Sequence, residues 1–224
     1  VIESRGLGDV YKRQFYHKGG GVGQTPDYWN NNYQDDIYFR NGEPEETKGY
    51  CTDVFFDEAI SFINKNKENS FLCFLSLNAP HSPFNVPKEY YELYENESDL
   101  LESQKRFYGM ISNIDDNFGR LHQHVESLGI LDNTIIIFTT DNGTSNGYKY
   151  SKKDKKWLGF NAGMRGTKTS EYDGGHRVPF IIKWKKGGLF GGHNYSGLSA
   201  HVDMLPTLLS LSLIHISEPT RLDD

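Results

Sequence analysis

The chain has 224 residues, with 24 basic and 30 acidic side chains and a formal net charge of −6. With 36% of residues apolar and 24% charged, it has the mix of a soluble globular protein long enough for a sizeable core. The absence of a long basic run argues against a nucleic-acid surface. No apolar stretch nears the roughly 20 residues of a membrane-spanning helix.

The two ends differ from the rest. Ser4–Gln14 reads SRGLGDVYKRQ and Leu211–Arg221 reads LSLIHISEPTR. A coding string for the first has a reverse complement that translates to the second. Both resemble translated transposon-end adapter from sequencing libraries. Residues 1–14 and 211–224 are therefore expected to be non-native, and residues 15–210 to be an internal piece of a longer protein. On that reading, the lack of an initiator Met or signal peptide says nothing about location.

Residues 15–48 are rich in Gly, Asn, Asp and Tyr without a sustained period, which predicts ordered loop with short strands at most. Val54, Phe55, Ala59, Ile60 and Ile63 then line one face of a helix with Thr52 at its N-cap. Phe71–Leu77 is a short apolar run, read as a strand buried on both faces. Pro87 opens a short helix through about Tyr94. Phe107, Met110, Ile111, Ile114, Phe118, Leu121, Val125 and Leu128 recur every three or four residues, predicting a helix of about seven turns that Gly129 ends. Thr134–Thr140 reads as a second buried strand, and Val178–Trp184 as a third. His201–Leu209 reads as a last helix, with Pro206 in its first turns. Strands alternating with helices predict an α/β layered domain. Cys51 and Cys73 form no CxxC motif; they are either paired or both free, and two small buried side chains is the plainer reading.

Three polar clusters follow three strand ends, where α/β folds place ligands. They are Asn78-Ala79-Pro80-His81-Ser82-Pro83, then Asp141-Asn142-Gly143, then Gly166-Thr167-Lys168 leading to Asp173-Gly174-Gly175-His176-Arg177. Asp141 and Asn142 offer two hard oxygen donors suited to Ca²⁺ or Mg²⁺, although Asp-Asn-Gly is also a common turn. His81, between two prolines, could bind an anion or protonate a leaving group, and Lys168 could clamp an anionic oxygen. Taken singly, each of these residues is more often structural or solvated.

Together with Tyr50-Cys51-Thr52-Asp53, Val178-Pro179 and His201-Val202-Asp203-Met204-Leu205-Pro206-Thr207, these clusters resemble the sulfatase family of the alkaline-phosphatase superfamily. The resemblance implies an alkaline-phosphatase-like sheet with helices on both faces, here incomplete: N-terminal strands and a C-terminal subdomain are expected outside this piece. It implies hydrolysis of the sulfate ester of a glycan or aryl alcohol, and Asp141 and Asn142 as two ligands of a divalent cation, usually calcium. Lys168 and His81 would contact the sulfate, and His17 and His176 could line the substrate pocket. The family's nucleophile is a formylglycine from a C/S-x-P/A-x-R motif, expected upstream; neither Cys51 nor Cys73 fits it. The piece alone is thus expected to be inactive, and the parent to be exported to a periplasm or the exterior. Asp173 stands where the family usually has Glu. The alternatives are a phosphodiesterase or phosphonate hydrolase of the same superfamily, and a catalytically dead sugar-binding homologue; the upstream motif separates them. Oligomeric state is not legible.

Overall fold

A computed structural model describes residues 14–16, 22 and 29–211. They fall into two units, divided between Leu189 and Phe190.

The first unit opens with an antiparallel sheet of β1 (Phe15–Tyr16), β2 (Ile37–Arg40) and β3 (Glu43–Glu46), in that order. Asn41 and Gly42, both at positive φ, make the two-residue turn between β2 and β3; Asn-Gly is the pair that such a hairpin favours. Tyr38, facing inward, is fully buried. Its ring packs edge-on against Phe15 and Phe55. Short strands at most were expected here, and that is what forms.

Helix α1 (Cys51–Asn66) buries Cys51, Phe55, Ala59, Phe62 and Ile63, the one-sided spacing of an amphipathic helix. Tyr50, not Thr52, occupies its N-cap, and Thr52 is already helical. The short helix α2 (Lys88–Glu92) follows Pro87. Helix α3 (Glu102–Ser127) runs 26 residues and ends before Gly129, whose positive φ of 71° lets the chain turn away. Between α1 and α3, Asp53 Oδ1 accepts from the Asn113 amide at 2.8 Å and the Asn117 amide at 2.6 Å. Asn113 and Asn117, one turn apart, thereby fix the register of the two helices.

Residues 70–78 are extended but form no ladder. Phe71 and Cys73 pack against Phe62, Ile63 and Val125, while Leu75 and Leu77 pack against Phe55 and Met110. Leu72 and Phe74, on the opposite side, are 50% and 59% exposed. The expected strand buried on both faces is therefore only half met. Among the described residues no strand pairs with this segment, so only the face toward the helices is covered. Strand β4 (Ile136–Thr139) pairs antiparallel with β7 (Phe180–Lys183), Ile137 opposite Ile182. The expected burial of these strands is not met: each keeps an exposed side, Phe138 on one and Ile181 on the other, because among the described residues the pair has no further strand beside it.

Between them in sequence lies a hairpin for which the periodicity gave no element: β5 (Tyr148–Ser151) against β6 (Lys156–Gly159). A one-turn helix, α4 (Asp173–His176), precedes β7. In the second unit a 3-10 turn at His201–Asp203 leads into α5 (Met204–Leu211), with Pro206 in its first turn as expected. Helices and strands mix throughout, as the α/β expectation requires. No described helix is long and apolar enough to cross a membrane.

Candidate active site

At the end of β4 the chain turns through Asp141-Asn142-Gly143. Thr140 Oγ1 donates to Asn142 O at 3.2 Å, and the Asn142 amide donates to Asp141 Oδ1 at 2.6 Å. The two oxygen-bearing side chains are thus held side by side, Asp141 exposed and Asn142 half-buried.

The next segment packs on this turn backbone to backbone. Gly143 N donates to Gly175 O at 2.9 Å, and a Cβ on Gly143 would run into the Gly174 carbonyl oxygen. A Cβ on Gly174 would in turn run into the carbonyl of Gly166. Three loops can therefore approach only where side chains are missing. Lys168 N donates to Thr144 O at 2.9 Å, which places Lys168 against the residue two positions after Asn142. Asn161 holds the same loop by donating to Met164 O and Gly166 O. Arg165 lies over the Tyr172 ring at 3.6 Å, a cation–π contact that closes it.

His81 sits in the loop after the extended segment, where Ala79–Pro80 and Ser82–Pro83 are both cis. Its backbone carbonyl accepts from Tyr33 Oη at 2.8 Å. Burial holds the Tyr33 phenol well above its usual pKa, so it remains a donor. The His81 ring is exposed, and its Nδ1 donates to Ser82 O at 2.9 Å, so Nε2 is the ring nitrogen not used in that bond. Phe107 of α3 is the common neighbour of the two loops. Its ring meets Phe84, three residues after His81, and lies 3.1 Å from where a Cβ on Gly147 would stand.

The structure therefore joins the Asp141-Asn142 turn to the Lys168 loop by a backbone hydrogen bond at Thr144, while Phe107 touches Phe84 after the His81 loop and Gly147 after the Asp141-Asn142 turn. His176 is exposed on α4, its Nε2 donating to Glu171 O at 3.1 Å. His17 lies outside the described residues. Asp36 is buried and caps a turn, accepting from Asn32 N, Tyr33 N and Tyr38 Oη. Asp35 accepts from Gly49 N, which holds its carboxyl below the usual range. Both cysteines are free.

The donor set at the strand end is a carboxylate and an amide, which fits a hard cation and not a thiolate-bound one. Two donors are a fraction of the six to eight oxygens that calcium takes. Among the described residues no group of three or more His, Cys, Asp or Glu gathers to complete the shell. Sequence reasoning missed Thr144, whose carbonyl and hydroxyl join Lys168 to Gly147; no periodicity marks such a residue. It also passed over Ser217-Glu218-Pro219-Thr220-Arg221, which spells the serine form of the nucleophile motif. That string lies outside the described residues and inside the adapter-like tail.

Comparison with known proteins identifies the class. The sulfatase family profile matches residues 5–213, and the chain belongs to the sulfatase family. It is 31% identical over 195 residues to the uncharacterized sulfatase YdeN of Escherichia coli, covering 85% of this chain and 32% of that protein. It is 26% identical over 226 residues to an ulvan-active sulfatase of Formosa agariphila, covering 88% of this chain and 41% of that one. Among solved structures, it matches that of Ps i-CgsB in complex with k-i-k-neocarrahexaose at TM-score 0.74 and 27% identity. That match covers 93% of this chain and 47% of the other. The chain thus spans less than half the length of these relatives, and its fold is part of the alkaline-phosphatase-like α/β architecture they share.

Proposed function

We propose that this chain supplies the anion-holding strand-end loops of a sulfatase that hydrolyses sulfate esters, glycan or aryl, outside the cytoplasm. The observation that carries the reading is the joining of Asp141-Asn142 to Lys168 through Thr144, and to the Gly174-Gly175 turn through Gly143. A hydrolysable sulfate ester carries one negative charge spread over three oxygens, and it needs cations and donors held in place before the bond breaks.

Asp141 and Asn142 would hold a divalent cation, calcium by family resemblance, which when bound draws charge from the sulfate oxygens. Lys168 would bring its ammonium to the same oxygens from a loop that backbone packing keeps rigid. In its imidazolium form, with the Nδ1 hydrogen kept on Ser82 O, His81 would hand its Nε2 proton to the bridging oxygen as the alcohol departs. The nucleophile is expected from a formylglycine motif that neither cysteine of this chain provides. Relatives named for ulvan and crystallised with neocarrahexaose support a sulfated glycan as the substrate.

The test uses a complete enzyme carrying residues 15–210. Lys168→Ala should lower kcat on a chromogenic aryl sulfate by about 10²–10³. His81→Ala should cost far more on a glycan sulfate than on the aryl sulfate, because a phenol leaves without help and a sugar alcohol does not. Equal losses on both would remove His81 from the acid role. The 224-residue chain alone should turn over neither substrate, with or without Ser217→Ala.

A further inference from the structure

The β5–β6 hairpin has its apolar face turned to the solvent. Leu158 and Ser151 face the body, 5% and 3% exposed. Tyr148, Tyr150 and Trp157 share the opposite face, since Tyr150 pairs with Trp157 and Tyr148 lies two residues before Tyr150. Tyr148 and Trp157 stack at 4.8 Å with rings 13° apart, and Tyr150 meets Trp157 edge-on at 5.7 Å. Tyr150 and Trp157 are nevertheless 49% and 53% exposed. A contiguous aromatic patch with a polar rim is the form that a ligand-binding surface takes.

The same hairpin is basic in an acidic chain. Between Tyr148 and Gly159 stand Lys149, Lys152, Lys153, Lys155 and Lys156, against the single acid Asp154. Asp154 is engaged within the turn, accepting from Ser151 Oγ at 2.6 Å. Lys156 pairs with Asp99. Lys149, Lys152, Lys153 and Lys155 are exposed and have no ion-pair partner among the described residues.

The mounting is rigid and leads to the anion site. Gln104 Nε2 donates to Leu158 O at 2.9 Å, Tyr108 Oη to Gly147 O at 2.6 Å, and the Asn146 amide to Ser103 O at 2.7 Å. At the base, Gly147 N donates to Thr144 Oγ1, and Thr144 O accepts from Lys168 N, so hairpin and Lys168 hang from one residue.

We infer that this hairpin is a second binding site, taking a further sugar ring of a multiply sulfated glycan whose scissile sulfate occupies the Lys168 loop. The aromatic face accepts the C–H face of a pyranose, and the turn lysines meet the sulfates on either side. The match is of charge and shape together: a neutral sugar would leave the lysines unanswered, and inorganic sulfate would leave the rings unused. The identity of the anion as sulfate rests on the sulfatase reading; the hairpin's preference for an anionic saccharide does not.

The test measures binding of the full chain to four probes by calorimetry: a multiply sulfated hexasaccharide, its desulfated counterpart, inorganic sulfate, and a six-nucleotide oligothymidylate. The hexasaccharide should bind tightest. Trp157→Ala and Tyr150→Ala should each weaken it at least about tenfold, with unchanged circular dichroism and no effect on inorganic sulfate. Replacing Lys152, Lys153 and Lys155 by Gln should flatten the dependence of log affinity on log salt. Lys168→Ala is the control for the anion site: if it leaves sulfate binding intact while Trp157→Ala still acts, the sulfatase site is misplaced and the hairpin stands. Unchanged affinity in both aromatic variants, or no binding by the unmodified chain, overturns the inference. Oligothymidylate binding as tight as the hexasaccharide overturns it too, and assigns the surface to single-stranded nucleic acid.

Discussion

The body made by α1, α3 and the first sheet, and the loops between β4 and β7, are built on opposite principles. In the body, side chains do the packing: Phe15, Tyr38, Phe55 and Met110 interlock in one cluster, Phe62, Ile63 and Val125 in another. In the loops, backbone meets backbone at Gly143, Gly166, Gly174 and Gly175, and the hydrogen bonds run from peptide to peptide. The difference shows how a fold frees reactive groups. Where glycines and carbonyls hold the structure, packing makes little use of the side chains of Asp141, Asn142 and Lys168, the residues proposed above to hold a cation and the sulfate.

The contrast can be broken by mutation. Met110→Ala, at a fully buried position in the body, should cost about 2–5 kcal/mol in a urea melt, because the surrounding helices close only partly over the void. In the complete enzyme, Gly174→Ala should cost less, about 1–3 kcal/mol, yet remove most turnover by pushing two loops apart. A Gly174→Ala enzyme with normal turnover and a collapsed melt would reverse the roles assigned to the two regions.

The remaining predictions sharpen the account of the body. Burial pushes the Cys51 thiol up to about 12 and the Cys73 thiol up to about 11. A group whose folded pKa is raised contributes stability below its unfolded value of about 9, and that contribution is lost as pH climbs toward the folded value. The midpoint of unfolding should therefore fall between about pH 9 and about pH 12, and Cys51→Ala should make that fall shallower. An unchanged slope in the variant would count against a desolvated thiol. Smallest should be Arg40→Ala. Arg40 bonds Glu45 and Glu58 on both forks, and the Glu58 hydrogen bonds lead in raising its pKa. The pair is partly solvent-screened, so the melt should shift by about 1 kcal/mol or less.

Legibility in the sequence followed the same divide. The faces of α1 and α3 could be read because apolar side chains repeat with the helix period, down to the stop at Gly129. The segment at Phe71–Leu77 was read as a doubly buried strand because an apolar run reports the burial it is suited to, and Leu72 and Phe74 lack a covering partner among the described residues. Thr52 as a cap failed by two positions, since Tyr50 takes the cap without a side-chain bond. The candidate site residues come from motif resemblance alone; no periodicity could show that Thr144 links Lys168 to Gly147. The β5–β6 hairpin escaped because its alternation places aromatic side chains outward and lysines in the turn, the reverse of the usual pattern.

The most direct test of the central claim is the metal content of the complete enzyme and its Asp141→Ala variant, measured on folded protein with matched circular dichroism. A stoichiometric divalent cation in the parent, lost in the variant together with turnover, is the predicted result. A variant that keeps both its cation and its rate would contradict the assignment of the β4 end as the cation-holding edge of the site.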